Sequence, residues 1–172
     1  MGSLVTLMTI ADVLLLDFDH EIANTRKTLE RIPENDPAWK PHEKSMPIGR
    51  LAVHTARLPH FGSRILTTLE LDVAKEKFPP MVFTSTAQLL SDLDTAAAEA
   101  RAHLAGSSDE ELAKTWKLLF QDRLFVEGPR MTLYRSMFLN HLVHHRAQLG
   151  VYLRLLNIPV PGLYGPSADE GF

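Results

Sequence analysis

The sequence predicts an all-α protein, a bundle of four long helices with one short helix beside them. Two observations lead there. Four segments carry apolar residues at three- and four-residue steps, the period of an amphipathic helix. Stretches rich in Pro and Gly separate those segments, and no convincing pair of strand-like segments appears.

The first helix is expected from about Thr9 to Arg31, through Ile10, Val13, Leu14, Phe18, Ile22, Thr25 and Leu29. Thr9 suits the N-cap, and Pro33 marks the stop. Pro33, Pro37, Pro41 and Pro47 then forbid a helix, so this stretch reads as an ordered loop anchored by Trp39. The second helix opens near Pro47 and continues to about Leu71 through Ile48, Leu51, His54, Leu58, Phe61, Ile65 and Leu69. Pro59 and Gly62 inside it predict a kink or short break. Phe78, Pro79 and Pro80 form a second loop.

The third helix is expected from about Ser85 to Leu104, with Leu89, Leu93, Ala96, Ala97, Ala100 and Leu104 on one face, and Gly106 ends it. Ser107-Ser108-Asp109-Glu110 is a capping-box pattern, which predicts a helix of about two turns near residues 108–115. Trp116 to Val126 mixes alternating and helical patterns, and its state stays open. The last long helix runs from about Pro129 to Leu156, closed by Asn157, Pro159 and Pro161. Residues 158–172 form a Pro/Gly-rich tail whose Val160, Leu163, Tyr164 and Phe172 should pack on the bundle.

The 172 residues suit a single domain spanning 1–172. Net charge is -3 and no cluster of four or more Lys and Arg occurs, which argues against nucleic acid and against an electrostatic membrane anchor. The first 20 residues lack a positive n-region, and Asp12 and Asp17 interrupt the apolar run; they fail as a secretion signal and as a membrane span. Met8 is an alternative start, with the first seven residues expected to be poorly ordered. With no cysteine, there is no disulfide, thiolate ligand or protein-borne thiol nucleophile. That agrees with a reducing cytoplasm, the expected location.

Eight histidines are present, and their placement matters more than their number. His141 and His145, four apart in a helix, project from one face one turn apart, a spacing used by helical two-histidine metal sites. His54 is the best third donor, because it lies in phase with Leu51, Leu58 and Ile65 and should face inward. Inward donors on two long helices can converge in a bundle, and three protein ligands with open positions describe a catalytic site. The bland alternative stands beside this. A lone inward His is more often a hydrogen-bonded core residue, and an H-x-x-x-H pair can arise by chance. No Glu follows His141, so this is not the H-E-x-x-H of metalloproteases. His144 points about 100° away from His145 on the helical wheel. His20, His60 and His103 read as surface or interface residues, and His42 lies in the Pro-rich loop.

The residues resemble a known family in three places. His42-Glu43-Lys44-Ser45-Met46 followed by Gly49-Arg50-Leu51-Ala52-Val53-His54 resembles the start of the second helix in DinB/YfiT-like proteins. Asn140-His141-Leu142-Val143-His144-His145-Arg146-Ala147-Gln148-Leu149 resembles their fourth-helix signature, with Ala147 where Gly is common. Ile158 to Glu170 resembles the tail of one subgroup. The resemblance extends from about residue 9 onward. It implies a four-helix bundle of up-down-down-up arrangement. It also implies one divalent metal ion, usually nickel or zinc, held by His54, His141 and His145.

Relatives in that family include enzymes that use low-molecular-weight thiols. The resemblance therefore implies a metal-dependent thiol S-transferase, isomerase or hydrolase acting on an unknown small-molecule substrate, with the thiol as cosubstrate. A non-catalytic metal-binding stress-response or protein-interaction bundle is the alternative. His42, His144, Tyr134 and Gln148 are the candidates for a general base. The resemblance also implies a homodimer. The run Leu14-Leu15-Leu16 adds to that expectation, since the three cannot all face one core.

Overall fold

The computed structural model describes residues 7–171. The expectation for the first seven residues therefore falls, except for Leu7, outside the described range. The chain is mostly helical, with a small sheet at one side.

Helix α1 covers Ile10–Leu29. Thr9 and Asp12 cap it reciprocally: the Asp12 N–H donates to Thr9 Oγ1 at 3.1 Å and the Thr9 N–H to Asp12 Oδ2 at 2.8 Å. Helix α2 covers Ile48–Thr67. It starts after Pro47, and Trp39 anchors the preceding loop, accepting from the Ile48 N–H at 2.8 Å while its ring meets Tyr152 edge-on. The expected break at Pro59 and Gly62 is absent, and the helix runs through both. Packing explains why. A Cβ on Gly62 would lie 2.8 Å from the buried Phe138 ring, so this turn is held by contact with a neighbouring helical segment.

Helix α3, Thr86–Ala105, carries a Ser85 cap and buries the six residues its periodicity selects. Ser108 caps the short helix α4, Asp109–Ala113. The final helical stretch is continuous but not uniform: α5 covers Arg130–Leu133, a π-helical segment covers Tyr134–Leu139, and α6 covers Asn140–Leu155. α1 and α2 each pack against α3 and against α6. In the tail Val160 and Leu163 are partly buried, Tyr164 is exposed, and Phe172 lies outside the described residues; Arg154–Asp169 and Arg31–Glu170 pairs, both at 2.6 Å, pin the segment.

The all-α expectation needs correction. Strands β1 (Glu70–Asp72), β2 (Thr115–Phe120) and β3 (Arg123–Pro129) form one sheet in that order, β1 parallel to β2 and β2 antiparallel to β3. The stretch left open by its mixed pattern is thus a hairpin. Its turn, Gln121-Asp122, holds positive φ angles of 52° and 62° without glycine. Asp72 at the end of β1 supplies the compensation. Its carboxylate accepts from the Gln121 N–H at 3.0 Å and the Asp122 N–H at 2.9 Å.

Two apolar clusters make up the core. One joins the start of α1, the end of α2, the sheet and the π segment around Phe18, Ile65, Trp116 and Phe138. The other joins the end of α1, the start of α2 and the end of α6 around Leu29, Ile48, Leu51 and Leu153. Gly62→Ala tests the close helix contact. Phe138 is fully buried and cannot swing aside, so overpacking should cost about 1–3 kcal/mol. Urea denaturation should show the shift in midpoint, and an unchanged midpoint contradicts the packing account.

Candidate metal centre

The two apolar clusters meet where α2 and α6 cross from one to the other, and the three histidines sit at that junction. His54 and His141 are half-buried and His145 is buried. One ring nitrogen from each lies within 4.8 Å of the others. The ring centroids of His54 are 5.3 Å from His141 and 4.6 Å from His145. The three residues selected by helical spacing are therefore brought together.

Hydrogen bonds aim the rings. Gln148 Oε1 lies 2.7 Å from His145 Nδ1, so Nδ1 carries the proton and Nε2 presents a lone pair. The Met137 backbone carbonyl favours the protonated form of the His141 ring. His141 Nε2 faces His145 Nε2 at 2.7 Å, so with His145 Nε2 unprotonated the pair either shares the one proton of a neutral His141 ring or turns two lone pairs toward a cation. Cationic rings are disfavoured. Burial, then the neighbouring His145, His141 and Arg50, pulls His54 from 6.5 down to about 4. Burial also lowers His141 and His145, against the opposing hydrogen bonds from Met137 and Gln148. Neutral imidazole is the metal-binding form, so the residues present fit a divalent ion.

His54 and His141 also line a cavity of about 600 Å³. Leu58 and Phe61 of α2, Leu71 and Leu118 of the sheet, and Met137 of the π segment form its inner wall. Phe78, Pro79 and Met81 of the second loop form the outer one. The sheet that the sequence did not disclose thus has a place in shaping the site. His60, assigned to the surface from sequence, lines this cavity too, with Nδ1 3.3 Å from Glu99 Oε2. Its position off the apolar stripe of α2 left no periodic signal for it.

The candidate bases fare differently. Gln148 orients His145. Tyr134 is buried with an unpartnered hydroxyl, and burial pushes its ionisation upward, which disqualifies it as a base near neutrality. His144 is exposed, its ring edge-on to His145, and is outside the cluster. His42 is exposed in the first loop, where its Nδ1 accepts from the Lys44 N–H at 3.2 Å.

The lowered histidine values have a consequence for the metal-free protein. Unfolding restores His54 to an ordinary value near 6.5, so the unfolded state binds more protons between about pH 6.5 and 4. The His54 contribution to stability should fall as pH drops through that window and level off below it. Urea denaturation of chelator-treated protein across this range should show the slope, and His54→Leu should flatten it; an equal slope in both proteins refutes the assignment.

Comparison with known proteins bears on the fold and the family. The uncharacterised protein YrdA of Bacillus subtilis strain 168 is 26% identical over 164 residues, covering 92% of this chain and 90% of that protein. A DinB-like protein of Bacillus cereus ATCC 10987 has a crystal structure that superposes with a TM-score of 0.66 at 20% identity, covering 92% of this chain and all of that one. The DinB-like protein YjoA of Bacillus subtilis superposes with a TM-score of 0.68 at 18% identity, covering 88% of this chain and 96% of that one. These two structures speak to the fold. Residues 7–171 match the DinB family, and with nearly the whole chain so matched, the protein belongs to that family.

Proposed function

We propose that this protein is a divalent-metal-dependent enzyme acting on a small organic substrate, with thiol S-transfer or isomerisation as the reaction class and hydrolysis as its variant. The observation that supports this reading is the junction of the histidine cluster with the cavity: His54 and His141 belong to both. An ion that served only to staple helices would have no need of an adjoining space of about 600 Å³. His54, His141 and His145 would hold the ion, and imidazole ligands suit nickel or zinc. A divalent ion there supplies Lewis acidity, lowering the pKa of a thiol or water placed beside it.

The chain's own residues do the rest. Gln148 fixes the His145 ring, so less ordering remains when the site is used. The apolar wall presents a low-polarity surface beside the reacting groups. The chain has no cysteine, so in thiol chemistry the sulfur nucleophile arrives as a low-molecular-weight cosubstrate. The architecture that accompanies this reading is the up-down-down-up four-helix bundle, assembled as a homodimer. Val13 and Leu16 on α1 are exposed and would be covered in it. Sedimentation at micromolar concentration is expected to give a dimer, and a monomer alone removes the assembly from the proposal.

Metal content separates the ligands from their neighbours. After mild chelation, reloading and dialysis, wild type should retain about one ion per chain. His54→Ala and His145→Ala should retain none, and His144→Ala should match wild type. Gln148→Ala keeps all three ligands but loses their orientation, so its metal affinity should fall by about 10–100-fold. Equal metal in all variants overturns the site. Thiol-transfer assays on loaded protein, with His145→Ala as the blank, test the reaction; turnover that survives in His145→Ala excludes it.

A further inference from the structure

Charge pairing around the cavity carries a statement about what enters it. Four ionisable side chains besides the two histidine ligands line the space: Arg57, His60, Arg64 and Glu76. Each is already engaged. Arg57 donates to Asp92 Oδ2 at 3.3 Å and to the Pro80 carbonyl at 3.0 Å. Arg64 pairs with Glu76 at 2.6 Å. His60 Nδ1 lies 3.3 Å from Glu99 Oε2. Among the described residues, every ionisable side chain of this lining away from the histidine cluster has a partner, and a charged group set against the apolar wall there would lie unpaired, which is strongly unfavourable.

The two arginines have a further effect. Both reach from α2 to the segment that follows β1, Arg57 to Pro80 and Arg64 to Glu76. They thereby hold Phe78, Pro79 and Met81 over the cavity as its outer wall. Phe78 remains 59% exposed although it faces the cavity, a large apolar surface that a bound ligand would cover. The volume falls within the range of about 300–1,000 Å³ common for small-molecule sites.

We infer that the cavity selects an uncharged, largely apolar organic substrate, whose reactive end lies toward His54 and His141. That orientation rests on the metal-enzyme reading above, whereas the selectivity is a property of the lining alone. On the thiol-transfer reading this molecule is the electrophile: the thiol sulfur bonds to its electrophilic carbon, that carbon's bond to a leaving group breaks, and the thiol proton departs with the leaving group. Phe61, Phe78 and Met81 set its shape, and the paired arginines hold the wall without offering it a charge.

The test uses the neutral fluorophore N-phenyl-1-naphthylamine on the full-length, chelator-treated protein, so that no ion on the histidines attracts the sulfonate. Saturable binding to one site is expected. Displacement is then compared among 1-octanol, octanesulfonate and octyltrimethylammonium, which share one chain length and differ in charge. The alcohol should displace the probe at concentrations at least about tenfold lower than either ion. Phe78→Gln and Met81→Gln should each weaken probe binding several-fold. Phe78 is exposed, so its replacement leaves the fold intact, which circular dichroism checks. Phe125→Gln, exposed on β3, should bind as wild type does.

Absence of saturable binding overturns the inference, as does equal or better displacement by either ion. Wild-type binding by both cavity variants, or loss of binding in Phe125→Gln, does the same. The two readings fail separately. Metal retained on the three histidines without probe binding removes this inference alone. Probe binding with the expected selectivity but no histidine-dependent metal removes the metal enzyme and leaves the apolar site.

Discussion

The buried guanidinium of Arg146 is the constraint on which the rest of the structure depends. Its side chain is 1% exposed and pairs with the Glu21 carboxylate at 2.6 Å. The same group donates to the Glu21 backbone carbonyl at 3.0 Å, to Thr25 Oγ1 at 3.3 Å and to the Tyr164 hydroxyl. Tyr164 in turn donates to Glu21 at 2.7 Å. One side chain thus ties α6 to α1 and to the C-terminal tail. Leaving such a charge without partners costs about 3–5 kcal/mol, so the arrangement tolerates little rotation of α6. His145 is the preceding residue. The rotation that satisfies Arg146 is the one that directs His145 at His54, and the aim of this histidine is inherited from an ion pair on the next side chain.

This pair belongs to a polar layer that divides the core. On α1 the residues between the two apolar clusters include Asn24, Thr25 and Thr28; on α2 the crossing lies near His54 and Thr55; on α6 it lies at His145, Arg146 and Gln148. The threonines need no distant partner. Thr25, Thr28 and Thr55 each return their hydroxyl to the carbonyl four residues back, at 2.7, 3.2 and 2.8 Å. They admit polar neighbours into the interior without unsatisfied groups of their own. The histidines occupy the part of the layer open to the cavity, where burial keeps them neutral and the apolar wall begins.

Features written in local periodicity were legible in the sequence, and those made by distant contacts were not. The buried face of α3 matches its pattern residue for residue, the Thr9 cap stands where its side chain predicted, and the short helix starts within the Ser107–Glu110 capping pattern, on Ser108, but covers only five residues. His141 and His145 were readable as a pair because four residues bring a helix back to one face, and His54 because it shares the phase of Leu51 and Leu58. The sheet was hidden for two physical reasons. Its hairpin turns through Gln121-Asp122, which carry no glycine or asparagine signal, and it closes on Asp72, some fifty residues away. β1 is three residues long and parallel to β2, a pairing no local pattern announces. His60 and the cavity wall share that non-local origin, since the wall joins α2, the sheet, a loop and the π segment.

The π segment links these two kinds of information. Tyr134–Leu139 interrupts a helical pattern that reads as unbroken from Pro129 to Leu156. In it the Asn140 N–H donates to the Arg135 carbonyl, five residues back, so the helix is wider there and the phase between its two ends is shifted. Such turns are uncommon because their geometry is less favourable, and they persist where packing on both sides over-determines them. Here Phe138 is locked against Gly62 and against Tyr134, and Leu139 is buried in the first apolar cluster. Immediately beyond, the phase of α6 is reset for the polar layer. Met137 sits at this irregularity, where its backbone carbonyl favours the protonated His141 ring and the residue lines the cavity. A regular helix would have to choose one register for the packing of Phe138 and another for the aim of His141. The π turn lets one continuous helix satisfy both.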